Sequence, residues 1–178
     1  MRKKYVDVIV TKKWITDALL ELMESQPIDK IRITDIISKA GVPRSTFYRY
    51  YYNKEDVLIQ YQNDLAEAFA KEIKENDTDI IKLTFKMIYE NQKYYSILVK
   101  TKQFSILLDF LNRITIQDQS QKEVNIFFRG GIYNLIYQWI LNNYSTPIEQ
   151  LVITTKQVCN MNLFMENIEQ FKKEHTKL

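Results

Sequence analysis

Apolar residues recur every three or four positions along most of this chain, and strict alternation is nowhere sustained. That pattern predicts an all-α protein. The first stripe, Ile15, Ala18, Leu19, Leu22 and Met23, predicts a helix over 11–25 that Pro27 ends. Ile28, Ile31 and Ile33 carry the apolar pattern into a short second helix from Thr34, whose hydroxyl suits an N-cap. Ile36, Ile37 and Ala40 share one face of it, and Gly41 stands at its stop, where only glycine turns left-handed without a Cβ penalty. Pro43, with fixed φ and no N–H, suits the first turn of a third helix over 44–51. Asn53 then caps a long fourth helix to about 75, with Asp56 as its capping-box partner. Its stripe is Val57, Leu58, Tyr61, Leu65 and Phe69. At about 30 Å it is long enough to join both halves of the chain, and it is the one visible route for a signal between them.

The second half continues the helical period. A fifth helix is expected over 76–91, opened by Asp77 or Thr78, and two shorter ones over 92–117, divided near Thr101–Lys102. Gln117 to Lys122 is polar and reads as a loop. The helix over 123–143 is apolar around nearly its whole circumference, which predicts burial on all sides. Gly130 and Gly131 sit inside it despite costing about 1 kcal/mol each against alanine, so a second helix is expected to approach closely there. Thr146, Pro147 and Glu149 then open a ninth helix, with Leu151 and Thr155 on its stripe. From Glu166 the chain is more polar and is expected to fray.

Two helices about a glycine turn make a helix-turn-helix, whose second helix enters the DNA major groove. Here that helix holds Arg44, Ser45, Thr46, Tyr48, Arg49 and Tyr50, residue types that bond phosphates and base edges. Phe47 and Tyr51, four apart, are assigned to the core, which turns Tyr48 outward. Lys54, like Arg44, lies beside a helix N-terminus, a position that itself attracts phosphate. A helical hairpin with a polar face would show the same spacing.

The residues Thr34, Ile37, Gly41, Val42, Thr46, Phe47, Tyr48, Tyr51, Lys54, Glu55 and Leu58 resemble the signature of the TetR family of bacterial transcription regulators. Ile37 and Tyr51 match only as apolar or aromatic substitutes, and Pro43 stands where a capping Ser or Thr is usual. The segment from Phe127 to Ile140, with Thr146 to Leu151, resembles the C-terminal domain of that family's DhaS-like subgroup.

The resemblance implies a DNA-binding domain over 1–55 and a helical ligand-binding and dimerisation domain over 56–178. It further implies a homodimeric repressor on a palindromic duplex DNA operator, controlled by a small-molecule effector. Thr34, Arg44, Ser45, Thr46, Tyr48, Arg49, Tyr50 and Lys54 are the expected DNA contacts. Phe85, Tyr89, Tyr94, Phe104, Phe127 and Trp139 are the candidate effector pocket. Gly130, Gly131, Asn134, Tyr137, Leu151 and Thr155 are the candidate dimer interface. The alternative is a module of the same fold that acts through a protein partner.

Composition adds little against this reading and excludes much else. Of 178 residues, 46% are apolar and 26% charged, as in ordinary globular proteins. Net charge is +3, and residues 1–60 supply it all, with eleven Lys or Arg against eight Asp or Glu. The excess thus falls on the helix-turn-helix half, where phosphates would bind. Asp7 and Lys12 interrupt the first apolar run too early for a signal peptide, and no apolar run reaches 18 residues, so a cytoplasmic protein without a membrane span is expected. Cys159 has no disulfide partner, and His175 is the sole histidine. With so few Cys and His and only three glycines, neither a metal site, a cofactor, a phosphate loop nor an enzyme is expected.

Overall fold

The computed structural model describes residues 2–75, 79–113 and 122–159, and every described element is helical. Helix α1 (Arg2–Ser25) starts well before the predicted Thr11, because no glycine or proline interrupts residues 2–25. A 3₁₀ turn over Ile28–Lys30 leads into α2 (Ile33–Ala40). Thr34 does not cap α2. The Arg32 backbone N–H donates to Asp35 Oδ2 (3.1 Å), and the guanidinium donates to both carboxylate oxygens (3.2 and 3.0 Å). A carboxylate reaching back from the third position accepts a stronger, charge-assisted bond than a hydroxyl can.

Gly41 takes the left-handed conformation expected of it (φ 66°, ψ 31°), and Val42 N–H returns to Ile37 C=O at 3.1 Å. Helix α3 (Arg44–Tyr50) follows at once without a side-chain cap, and the N–H groups of Thr46 and Phe47 donate to the Pro43 carbonyl. Helix α4 (Lys54–Glu75) starts after Asn53 as the sequence predicts, with Asn53 Oδ1 accepting from Asp56 N–H (2.7 Å), but Asp56 Oδ2 accepts from Tyr52 N–H (3.0 Å), one residue before the expected cap. Ile15, Leu19, Met23, Ile31, Ile36, Phe47 and Leu58 are buried to 1% exposure or less and form the core of this end.

The remaining helices are α5 (Ile80–Glu90), α6 (Gln92–Lys100), α7 (Ser105–Arg113), α8 (Lys122–Leu141) and α9 (Ile148–Cys159). Helix α5 is capped by Asp79, whose Oδ1 accepts from Ile81 and Lys82 N–H. The predicted openers Asp77 and Thr78, residues 117–121 of the predicted loop, and the polar tail with His175 lie outside the described residues. The break between α6 and α7 falls where expected, at Thr101 and Lys102. Helix α4 packs on α1 at one end and on α5 and α7 beyond it, and α8 rests on α6 and α7. Helix α4 is not the only bridge between the halves. Helix α6 also touches α1, where Lys100 Nζ donates to the Glu24 carbonyl (3.0 Å) and Lys93 pairs with the Glu24 carboxylate (3.4 Å).

Helix α8 departs from the prediction of burial on all sides. Ile132, Ile136, Trp139 and Ile140 face the core, but Phe127 (73% exposed), Gly130, Gly131, Asn134, Gln138 and Leu141 (50%) are exposed along one stripe. A β-carbon at Gly130 or Gly131 would have no neighbour within 4 Å among the described residues, so the close helix approach expected there does not occur among them.

Candidate nucleic-acid interface

Helix α3 is seven residues long and is held by one edge. Phe47 is fully buried and Tyr51 is 3% exposed, with ring centroids 5.6 Å apart. Burial pushes the Tyr51 hydroxyl up to about 12, against a smaller opposing effect of its bond with Thr16. With that edge fixed, the 100° step of the helix sends Arg44, Ser45, Tyr48 and Arg49 outward, and all four are exposed. Thr46 and Tyr50 are half-buried at the margins. The Tyr48 ring stands edge-on against Phe47 (5.5 Å, 82°) and is 45% exposed, so its body is supported while its hydroxyl reaches solvent.

Charge on this surface is unevenly available. Arg32 is bound to Asp35, whose carboxyl is held below its usual range by the hydrogen bond from that side chain, and Lys39 is paired with Glu21 (2.8 Å). Arg44 and Arg49 have no acidic partner among the described residues. Lys54 is half-buried, and its Nζ donates to the Ile31 carbonyl at 3.0 Å, which ties the start of α4 to the segment before α2. Thr34 is exposed in the first turn of α2. The eight expected DNA contacts therefore lie on α2, α3 and the start of α4, but with unequal freedom.

Tyr52 was missed by sequence reasoning. It is 90% exposed in the turn between α3 and α4, next to the face just described. It lies outside both helices, so no helical period marks it. Only its place among consecutive tyrosines could have flagged it.

The family model described as bacterial regulatory proteins, tetR family, matches residues 15–61, the segment that holds this whole arrangement. Residues 15–61 belong to the tetR family. Relatives of this chain include the HTH-type transcriptional activator of the dhaKLM operon, DhaS, of Lactococcus lactis. It is 33% identical over 125 residues, covering 64% of this chain and 65% of the relative. The fatty acid metabolism regulator protein of Bacillus subtilis is 27% identical over 139 residues, covering 76% and 61%. The chain thus spans somewhat under two thirds of the length of each. Among solved structures, a Listeria innocua protein superposes with a TM-score of 0.70 at 19% identity, covering 88% of this chain and 92% of the other. The dihydroxyacetone kinase operon activator DhaS superposes with a TM-score of 0.56 at 20% identity, covering 88% and 98%. At these identities the likeness is one of fold.

The six candidate pocket residues do not converge on one cavity. Phe85, Tyr94 and Phe104 are buried in separate aromatic contacts: Phe85 against Trp139, Tyr94 against Tyr61 and Tyr95, and Phe104 against Tyr133 and Tyr137. Phe127 is exposed on the outer stripe of α8. Tyr89 and Trp139 line a common recess. The dimer candidates also divide. Gly130, Gly131 and Asn134 are exposed on that stripe and Tyr137 is half-buried beside it. Leu151 (5%) and Thr155 (4%) are buried within the single chain on α9, which packs on α5. Ile153, 50% exposed, occupies the outer side of α9 instead.

Among the described residues no group of three or more His, Cys, Asp or Glu is placed to hold a metal ion, and no helix is long and apolar enough to cross a membrane.

Proposed function

We propose that this protein is a transcription regulator that binds a palindromic DNA operator as a homodimer and is controlled by an effector in its helical C-terminal domain. The observation that carries the reading is α3: a helix anchored by Phe47 and Tyr51 that presents Arg44, Ser45, Tyr48 and Arg49 to solvent, with both arginines free of acid partners among the described residues. Unpaired guanidinium groups meet phosphate or guanine edges without first breaking an ion pair. The names of the relatives support the same role.

The dimer is supported by the outer stripe of α8. Two glycines weaken the helix where no described residue would meet their β-carbons, and they are flanked by exposed Phe127 and Leu141. A second copy of α8 about a twofold axis would cover the apolar residues and use the glycine notch for close approach. The same axis would set two α3 helices on one face of the duplex, about 34–36 Å or a little more apart. Whether a bound dimer blocks or recruits polymerase follows from the position of the operator, and the L. lactis relative is named an activator.

Selection from random duplex DNA with the purified protein tests the reading. A recovered palindrome whose binding weakens steeply with salt is expected. Failure to retain any duplex at moderate salt would overturn it.

A further inference from the structure

Helix α3 is short, and an α-helix leaves its last carbonyls without partners of its own. Tyr51 N–H closes the helix by donating to the Phe47 carbonyl (3.0 Å). The carbonyl of Tyr50, the last residue of α3, is met from outside. Gln60, about two turns into α4, donates to it through Nε2 at 2.8 Å. Gln60 is half-buried, so water competes less for this bond than at an open surface.

The same Nε2 donates to Asp56 Oδ2 (3.1 Å), one turn back on α4. Asp56 Oδ2 also accepts from Tyr52 N–H (3.0 Å), and Asp56 N–H donates to Asn53 Oδ1 (2.7 Å). These bonds join the end of α3, the turn and the start of α4. Gln60 is the side chain of the set that reaches α3 itself.

The anchors of α3 differ in kind. The rings of Phe47 and Tyr51 settle which edge of α3 faces the core, but apolar packing is non-directional. A hydrogen bond is directional, so the Gln60 amide sets where the C-terminal end of α3 lies against α4. Arg49 is exposed in that last turn, next to Tyr50. Helix α4 is itself held at this level by the second half. The Tyr94 hydroxyl donates to the Leu58 carbonyl (2.9 Å), and the Tyr61 hydroxyl donates to Asn91 Oδ1 (2.9 Å). Gln60 stands between these two attachment points in the chain.

Base edges and phosphates tolerate misplacement differently. Bonds to base edges need register and angle, whereas phosphate contacts carry no sequence information. A loosened last turn of α3 would lower discrimination before it lowered attraction to DNA.

We propose that Gln60 is a positioning residue for sequence discrimination, which holds the C-terminal end of α3 in the pose where its side chains meet base edges. The proposal rests on the DNA-binding reading above. Gln60 acts through the Tyr50 carbonyl and need not touch DNA.

The test measures affinity for the duplex recovered by selection and for a scrambled duplex of equal length. The proteins are the parent, Gln60→Leu and Gln60→Lys. Leucine keeps the bulk and donates nothing. Lysine can donate to the Tyr50 carbonyl and to Asp56, four residues before it on the helix. Gln60→Leu should weaken operator binding about tenfold, keep scrambled-duplex binding within about twofold, and leave the salt slope unchanged. Gln60→Lys should return the ratio of the two affinities towards that of the parent. The ratio cancels the general attraction that the added charge brings. A purely structural loss would lower both affinities together, in step with the folded fraction followed by urea unfolding. A parental ratio in Gln60→Leu, an equal loss on both duplexes, or a Gln60→Lys ratio as low as that of Gln60→Leu would each overturn the proposal. Failure of the parent itself to discriminate would overturn the DNA-binding reading and this proposal with it.

Discussion

The guanidinium carbon of Arg44 lies 5.4 Å from the centre of the Tyr48 ring, and its Nη2 is 3.4 Å from the Tyr48 hydroxyl. One turn apart on α3, the two side chains hold each other in the orientation that faces solvent. Arg44→Ala should therefore do more than delete one charge. It should lower the salt dependence of operator binding by about one phosphate contact and also loosen Tyr48. Arg44→Lys should restore the salt slope but not the full affinity, because an ammonium neither stacks nor donates as a planar fork. Binding isotherms at several salt concentrations check both statements, and equal affinity of parent, Ala and Lys variants would remove this face from the interface.

Lys54 should behave differently. Its Nζ is bonded to the Ile31 carbonyl, so Lys54→Ala loses an internal hydrogen bond worth about 1 kcal/mol as well as any phosphate contact. Urea unfolding should detect the loss for Lys54→Ala and not for Arg44→Ala. A Lys54→Ala protein as stable as the parent would contradict this.

Gly131 separates chain stability from assembly. A β-carbon there meets none of the described residues within 4 Å, so Gly131→Leu should be accommodated by the single chain and gain roughly 0.5–1 kcal/mol of helix propensity. Across a twofold α8 contact the same leucine would hold the helices apart. Sedimentation should show a shift towards monomer with helix content kept, and operator affinity should fall. A dimer that persists unchanged would place the interface elsewhere.

Gln62 is fully buried beside the Tyr95 hydroxyl, and neither side chain makes a well-formed hydrogen bond with any described residue. An unsatisfied amide of this kind costs about 1–3 kcal/mol of desolvation. Gln62→Leu should keep the fold and raise the melting temperature. A marked drop in stability would show that the amide has a partner, such as an ordered water.

Alkaline unfolding gives a fifth check. The unfolded chain releases the Tyr51 proton near pH 10, whereas burial keeps it in the folded chain to about 12. Unfolding free energy should therefore fall as pH rises from 10 to 12, and below 10 this residue should contribute no pH dependence. Burial pushes Tyr94 and Tyr95 in the same direction. Tyr51→Phe should make the fall shallower. Identical pH profiles for parent and variant would show that Tyr51 does not set it.

The helix-turn-helix was readable from the chain because its determinants are local. Gly41 stops α2, Asn53 starts α4, and the four-residue spacing of Phe47 and Tyr51 decides which way Tyr48 points. Each depends on backbone conformation within a single turn, which residue type controls. The same local rules misplaced the cap of α2, where the Asp35 carboxylate displaced the Thr34 hydroxyl. They also saw no sign of Tyr52, which belongs to no helix.

Beyond one turn, tertiary structure decided the outcome. The period of α8 showed apolar residues on every side, but periodicity does not say which side a neighbouring helix will cover. Packing on α6 and α7, with Phe85 and Tyr89 of α5 against Trp139, covered Ile132, Ile136 and Trp139 and left Phe127, Gly131 and Leu141 outside. Likewise the aromatic residues of the second half were all legible as apolar, yet which of them meet depends on residues fifty positions apart. Tyr89, Trp139 and Tyr144 converge only because a left-handed pair at 143–144 turns one ring back onto the other two. That conformation is unfavourable for tyrosine taken alone. Long-range bonds to Gln92 and Ser96 stabilise it, and those exist only once the helices have packed.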